Sequence, residues 1–200
     1  MDRPSLDDLV RNGTMPAEIA ATLRAAAIAR ASFLVFAKPR LAGKTTVQLA
    51  MLDLVPAATP IRTIGVDGGD IDALAREAQG GYLAIPEIAR DSDMPGYIWG
   101  EPVRRAFAAR GCSLAVVLHA DSVDEALGII RENEVPDADL ERLDLLVHLR
   151  SLGDDWQSPT RRVVAHVHEG GSAPRLLHRW DEAADRFETE AKPSRFRPRV

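Results

Sequence analysis

The sequence predicts an α/β protein with a mainly parallel β-sheet flanked by helices and an antiparallel β-meander near its C-terminal end. From Phe33 to Ile130, short apolar segments typical of strands alternate with segments whose apolar residues recur at helical spacing. From Leu143 to Trp180, three strand-like segments follow one another with turn-forming residues between them, which indicates antiparallel neighbours. A third observation, Gly43-Lys44-Thr45-Thr46 between a predicted strand and a predicted helix, indicates where a ligand would bind.

Composition fits one globular domain and excludes several classes of protein. The chain has 200 residues with a net charge of −5, an acidic balance that argues against a general nucleic-acid binder. Its one cysteine, Cys112, cannot form an internal disulfide, which fits a cytoplasmic location. The N-terminus lacks the apolar core of a signal peptide, and no apolar run is long enough to insert directly into a membrane.

We expect a single domain over residues 1–188. Within it, 1–30 form a polar lead-in followed by a helix from Ala17 to Arg30, and 143–180 form the meander. Residues 189–200 combine prolines with basic side chains and predict a flexible tail that is either disordered or lightly docked. The predicted strands are Phe33–Ala37, Ile61–Val66, Tyr82–Ile85, Ser113–Leu118, Leu143–Leu149, Arg161–His168 and Pro174–Trp180. Further helices are predicted after Gly43, over Asp72–Ala78, from Glu101 to Gly111 and after the capping sequence that begins at Ser122.

The strand, loop and helix around Gly43 have the layout of a phosphate-binding P-loop. Backbone N–H groups of such a loop surround a phosphate at the helix N-terminus, where the helix dipole favours anions. Lys44 would reach the β- and γ-phosphates, and Thr45 would hold Mg²⁺. The residues assigned to nucleotide binding are Lys38, Pro39, Arg40, Leu41, Ala42, Gly43, Lys44, Thr45 and Thr46. The alternative is that Lys44 simply lies at the solvated start of a helix.

Lys38 occupies the first position of the GxxxxGK[ST] pattern, where a glycine is usual. A lysine there disfavours positive φ, so we expect a strained loop that relaxes into an open form when no phosphate is bound. On this reasoning, Lys38→Gly would tighten ATP binding.

Two further strand ends carry polar side chains suited to phosphate chemistry. Glu87 follows the apolar strand Tyr82–Ile85, which is the Walker B pattern of a carboxylate that faces Mg²⁺ and the attacking water. Glu87 is therefore a candidate metal ligand together with Thr45. His119 follows the strand Ser113–Leu118 and would either sense a γ-phosphate or hydrogen-bond the following turn. The four histidines of the meander lack metal-site spacing and are expected to face solvent.

From Ala31 to about Val167, these motifs in this order resemble the type II/type IV secretion and pilus ATPases, a RecA-like P-loop family. AGKTT matches the family's GSGKTT, and IPEIARD is similar to its GEIRD segment. RGCSLAVVLHADSVDEAL, from Arg110 to Leu127, is similar to its His box. The resemblance implies ATP and Mg²⁺ as cofactors and ATP hydrolysis that drives conformational work.

The resemblance also implies roles for individual residues. Glu87 and His119 match the Walker B glutamate and the His-box histidine, and Asp67 is the acidic residue near the position of the family's Asp box. Partners would be other copies of the chain or secretion-machinery proteins. In such an assembly, an arginine of a neighbouring copy would reach the nucleotide, and the candidates are Arg90, Arg104 and Arg105.

Two other functions stay open at the level of sequence. One is a degenerate P-loop domain that binds nucleotide weakly or not at all and acts through protein contacts. The other is a small-molecule kinase, against which no arginine-rich lid segment is evident between the predicted strands.

Overall fold

Eight strands of the described chain form one β-sheet, with helices on both of its faces. The computed structural model describes residues 3–38, 40–65, 69–90, 97–155, 157–171 and 173–196. The helices are α1 (Leu6–Arg11), α2 (Ala17–Ile28), α3 (Lys44–Leu52), α4 (Ile71–Glu77), α5 (Glu101–Ala108), α6 (Val123–Glu132) and α7 (Asp137–Leu140). The strands are β1 (Phe33–Phe36), β2 (Ile61–Thr63), β3 (Tyr82–Ile88), β4 (Ser113–Leu118), β5 (Leu145–Leu152), β6 (Arg161–Glu169), β7 (Arg175–Asp181) and β8 (Arg186–Thr189).

The strand order is β2-β3-β4-β1-β5-β6-β7-β8. The pairs β2-β3, β3-β4, β4-β1 and β1-β5 are parallel. The pairs β5-β6, β6-β7 and β7-β8 are antiparallel. The predicted fold class is therefore confirmed, with two additions. The meander continues the parallel sheet through β5, and it contains a fourth strand, β8, that the sequence did not indicate.

The sheet separates two apolar cores. Phe33 and Val35 of β1 pack in the core that includes residues of α1, α2 and α3, whereas Leu34 and Phe36 pack with residues of α4 to α7. A central strand buried on both faces must be apolar at every position, which explains the uninterrupted sequence FLVF. The C-terminal end of β1 is thereby fixed between two cores, and the loop that follows it starts from a rigid point.

Several strands end at residues other than those predicted. Strand β2 ends at Thr63, and Val66 lies outside the described residues. Strand β3 continues to Ile88, because its pairing with β4 shifts register between Ile85 and Ile88 and then resumes. This shift accommodates Pro86, which has no N–H to donate, and it places Glu87 within the strand.

The N-terminal lead-in contains a short helix, and the tail packs against the sheet. Within the lead-in, α1 is capped by reciprocal bonds between Ser5 and Asp8. The predicted flexible tail is docked as far as Phe196, which is buried. Glu169 is buried on β6 and accepts hydrogen bonds from the backbone N–H groups of Ser194 and Arg195. A buried carboxylate requires such donors, and the tail supplies them. No helix in the described ranges is long and apolar enough to cross a membrane.

Candidate functional site

The predicted phosphate-binding segment connects the buried end of β1 to the N-terminus of α3. Gly43 caps α3 with φ 93°, a left-handed conformation that favours glycine. It has no side chain to cap the first N–H groups of the helix, and the partial positive charge at this terminus favours an anion.

The left-handed conformation within the loop lies at an unexpected residue. Leu41 has φ 59°, whereas Lys38 is not among the described residues with positive φ. The observed loop therefore shows no left-handed strain at Lys38, and the effect of Lys38→Gly on ATP affinity stays a prediction. Its side chain leaves the loop, with Nζ 4.0 Å from Glu125 Oε1.

Three side chains from separate elements meet beside this loop. Lys44 is buried, and its Nζ lies 3.9 Å from Oε1 of Glu87 and 3.4 Å from Nδ1 of His119. Its Nζ also donates to the carbonyl of Ala37 at 3.3 Å. The exposed Lys44 of the alternative interpretation is therefore wrong. A lysine is rarely buried unless it has partners, and here Glu87 on β3 provides the negative charge.

His119 lies at the C-terminal end of β4 and reaches across to the loop. Its Nδ1 donates to the backbone carbonyl of Lys38 at 2.8 Å. Since Nδ1 carries the proton in that bond, Nε2 of the neutral ring is an acceptor, and it lies 3.5 Å from Glu87 Oε1. His119 therefore contacts the phosphate-binding segment as well as Glu87, and the pairing with its own turn is not the contact observed.

Burial shifts the pKa values of all three groups toward their neutral forms. It raises the pKa of Glu87 to about 7, against the opposing charges of Lys44 and Arg40. It lowers the pKa of Lys44, although the Glu87 carboxylate acts in the opposite direction. It also lowers the pKa of His119, which the bond to the Lys38 carbonyl partly offsets. A carboxyl group that titrates near neutrality is suited to accept and release a proton.

The predicted metal ligands Thr45 and Glu87 line the same cavity. Glu87 Oε1 is buried and has no hydrogen-bond partner among the described residues, so the site has an unused acceptor of the kind that Mg²⁺ prefers. The described residues contain no group of three or more His, Cys, Asp or Glu side chains that could hold a metal ion alone. Because Mg²⁺ is usually held by few protein ligands together with phosphates and water, this arrangement fits a nucleotide-bound Mg²⁺.

The cavity has a volume of about 790 Å³. It contains the predicted residues from Arg40 to Thr46 as well as Glu87 and His119. The sequence did not indicate the rest of its lining, which is Pro4, Leu9, Asn12, Thr14, Val47, Tyr97, Leu149, Thr160, Arg161 and Arg162. Pro39 and Asp67, also predicted, lie outside the described residues.

The candidate inter-subunit arginines do not line this cavity. Arg90 pairs with Glu132 at 2.7 Å, and Arg105 pairs with Asp72 at the same distance. Arg104 lies 3.9 Å from Glu134. All three side chains are exposed at the surface of the described fold.

The prediction that the meander histidines face solvent is wrong for His148 and His178. His148 is 5% exposed, and its ring stacks on Phe36 and on His166. Burial lowers the pKa of His148 to about 4, so its ring is neutral at pH 7. His178 is also buried and contacts Thr22 at 2.9 Å.

Solved structures with a similar fold include two ATPases. The VirB11 ATPase from the Brucella suis type IV secretion system, in complex with sulphate, matches 82% of this chain with a TM-score of 0.57 and 16% identity. The Legionella pneumophila ATPase DotB matches 92% of this chain with a TM-score of 0.57 and 15% identity. The fold of this chain is similar to that of a type IV secretion ATPase.

This chain spans about half of each of those proteins, 54% of VirB11 and 53% of DotB. No protein-family model and no curated protein matches its sequence. Similarity at this level of identity establishes the architecture alone.

Proposed function

We propose that this chain binds ATP with Mg²⁺ in the cavity at the N-terminus of α3, and that it hydrolyses ATP to drive conformational work. The observation that carries the proposal is the buried group of Lys44, Glu87 and His119 beside a helix N-terminus. Lys44 is 5% exposed and Glu87 is 9% exposed, so both charges are held where water is largely excluded. The secretion-ATPase fold supports the same conclusion.

The residues of the loop would hold the phosphates. The N–H groups at the start of α3 and the ammonium of Lys44 supply the positive field, and Thr45 and Glu87 would hold the metal. Mg²⁺, when bound, neutralises phosphate charge. A phosphate would also give Lys44 an anionic partner stronger than the carbonyl of Ala37, to which it donates at 3.3 Å.

Glu87 is suited to orient the attacking water and take its proton. Burial raises its pKa to about 7, Lys44 and Arg40 oppose that rise, and a bound Mg²⁺ would favour the ionised form that accepts a proton. His119 Nε2, 3.5 Å away, is placed to receive a proton from Glu87 or to align its carboxyl group. His119 would therefore connect the base to the loop that holds the phosphates, through its bond to Lys38.

The proposal includes assembly of several copies in the cytoplasm, alone or with secretion-machinery proteins. Arg104 is the favoured arginine for contact with a neighbour, because its 3.9 Å approach to the exposed Glu134 is the longest of the three pairings. Arg104→Ala would then lower turnover, and Arg105→Ala would lower it less. Light scattering during turnover checks the assembly, and full activity from a strict monomer would contradict it.

Hydrolysis is tested with Glu87→Gln. The substitution keeps the size of the side chain but removes the base, so phosphate release should fall by about 100-fold while ATP affinity changes little. Thr59→Ser, a change in the turn after α3, serves as the control and should retain full activity. If the wild-type chain binds ATP yet releases no phosphate at any protein concentration, the chain acts as a nucleotide-binding interaction module instead.

A further inference from the structure

Arg162, on the meander strand β6, lies against the phosphate-binding loop. Its Nε donates to the carbonyl of Leu41 at 2.6 Å, across 121 residues of sequence. A Cβ at residue 43 would lie 3.4 Å from Cδ of Arg162, so the arginine stem runs beside Gly43. Arg162 also lines the cavity that contains Lys44 and Glu87.

The other arginines of the cavity have different partners. Arg161 donates to Asp185 at 2.7 Å and to the carbonyl of Gly13 at 3.4 Å. The guanidinium of Arg40 lies 5.9 Å from the ring centre of Tyr97. Arg162 forms no ion pair with a carboxylate among the described residues. An arginine has five N–H donors, and the bond to Leu41 uses the one on Nε, so the four donors on its terminal nitrogens are available to an anion.

We propose that Arg162 contacts the phosphates of the bound nucleotide, as an arginine supplied in cis by the meander. This inference rests on the proposed nucleotide binding at the same site. The bond from Nε already restricts the guanidinium, so less conformational entropy is lost when it binds an anion. Its two terminal nitrogens can donate in parallel to two phosphate oxygens.

The bond from Arg162 to the carbonyl of Leu41 also stabilises the conformation of the loop. Leu41 is left-handed, with φ 59°, and its carbonyl is engaged by Arg162. A carbonyl oxygen turned towards a phosphate would repel it, whereas N–H groups attract it. By holding this oxygen, Arg162 favours a loop whose N–H groups are left to face the anion.

The test compares Arg162→Gln and Arg162→Lys with the wild-type chain. The two probes are MgATP and magnesium tripolyphosphate, which has the phosphates without the nucleoside. We expect Arg162→Gln to weaken both probes by about tenfold or more and by similar factors. Arg162→Lys should recover part of the loss, because it restores the charge without the fork.

The control is Arg179→Gln on β7, which removes an arginine that is bonded to Glu190 and does not line the cavity. It should change either affinity by less than about twofold, as expected for a screened surface charge. Thermal unfolding of all variants identifies any that fail to fold. If Arg162→Gln fails to fold, Arg162→Lys is compared with the wild-type chain in its place.

Three results would overturn the inference. They are equal losses in the Arg162 and Arg179 variants, a loss for ATP without a loss for tripolyphosphate, and no binding of either probe by the wild-type chain. Wild-type binding of tripolyphosphate but not of ATP would instead contradict the proposed nucleotide function, and the tripolyphosphate series would still decide the role of Arg162.

Discussion

Glu87 should make the folded protein less stable as the pH rises through neutrality, and Glu87→Gln should remove this effect. The carboxyl group is 9% exposed, and burial raises its pKa from an ordinary 4.5 to about 7. A folded-state pKa above the unfolded value means that the folded chain keeps this proton to a higher pH than the unfolded chain does. The stability associated with that proton is fully present below pH 4.5 and is lost as the pH rises through about 7.

The magnitude follows from the same two pKa values. Between pH 5.5 and pH 8.5, the penalty for ionising Glu87 in the folded state should grow by about 2 kcal/mol. A glutamine has no such penalty, so the stability of Glu87→Gln relative to wild type should rise by that amount over this range. The attraction between Lys44 and the Glu87 carboxylate already acts against the rise of this pKa to about 7, so it needs no separate allowance in the difference between the two pH values.

Urea denaturation at the two pH values measures the effect. Glu132→Gln is the matched control, since Glu132 is exposed and pairs with Arg90 at the surface. Its relative stability should not change with pH over this range. If the stability difference between Glu87→Gln and wild type is the same at both pH values, Glu87 does not titrate as a buried acid, and its assignment as a base loses its physical basis.

Three other substitutions test the loop and the tail. Gly43→Ala should lower the free energy of unfolding by about 1–2 kcal/mol, because φ 93° is strained for alanine, and urea denaturation checks this. Lys38→Gly should leave ATP affinity unchanged, since Lys38 has no left-handed strain to relieve, and tighter binding in a titration would contradict the observed loop. Burial acts to raise the pKa of Glu169, but hydrogen bonds from Arg175, Ser194 and Arg195 outweigh it and hold the pKa at about 2. Glu169→Gln should therefore loosen the segment up to Phe196, which hydrogen exchange would detect as faster exchange at Ser194 and Arg195.

The central part of the sheet was predictable because its strands are short apolar runs with clear boundaries. Strand β4 has the predicted bounds Ser113–Leu118, and β1 differs by one residue from the predicted Phe33–Ala37. Both are buried on two faces, so the apolar pattern alone identifies them. Glu87 and His119 lie at or near the C-terminal ends of the parallel strands β3 and β4, and Lys44 begins the helix that follows β1. The order of these elements along the chain was enough to predict that the three side chains lie close together.

The remaining wall of the cavity was not predictable from local patterns. Arg162 reaches Leu41 only because β5 pairs in parallel with β1 and β6 then returns antiparallel beside it. No periodicity in the sequence specifies that strand order. The N-terminal residues Leu9 and Thr14 line the cavity for the same reason: the backbone carbonyl of Thr14 accepts a bond from Val164 on β6.

The loop itself shows where a motif misleads. The comparison with GxxxxGK[ST] placed the strain at Lys38, where the glycine is replaced. In the structure, the left-handed residues of the loop include Leu41 and Gly43, and Arg162 and His119 each hold a carbonyl of the loop. The conformation is therefore stabilised by side chains from two other strands, and the motif contains neither of them.

Equilibrium binding of MgATP to the wild-type chain and to Lys44→Ala tests the central claim most directly. Lys44 is buried beside the N-terminus of α3, so loss of its charge-assisted contact with phosphate should weaken binding by about 1.5–3 kcal/mol, or roughly 10- to 150-fold. Calorimetric titration of both proteins, with a thermal unfolding curve for each, separates a loss of binding from a loss of fold. Saturable binding by wild type that is weakened in a folded Lys44→Ala is the predicted result. Equal affinity in the two proteins would contradict a phosphate site at this helix.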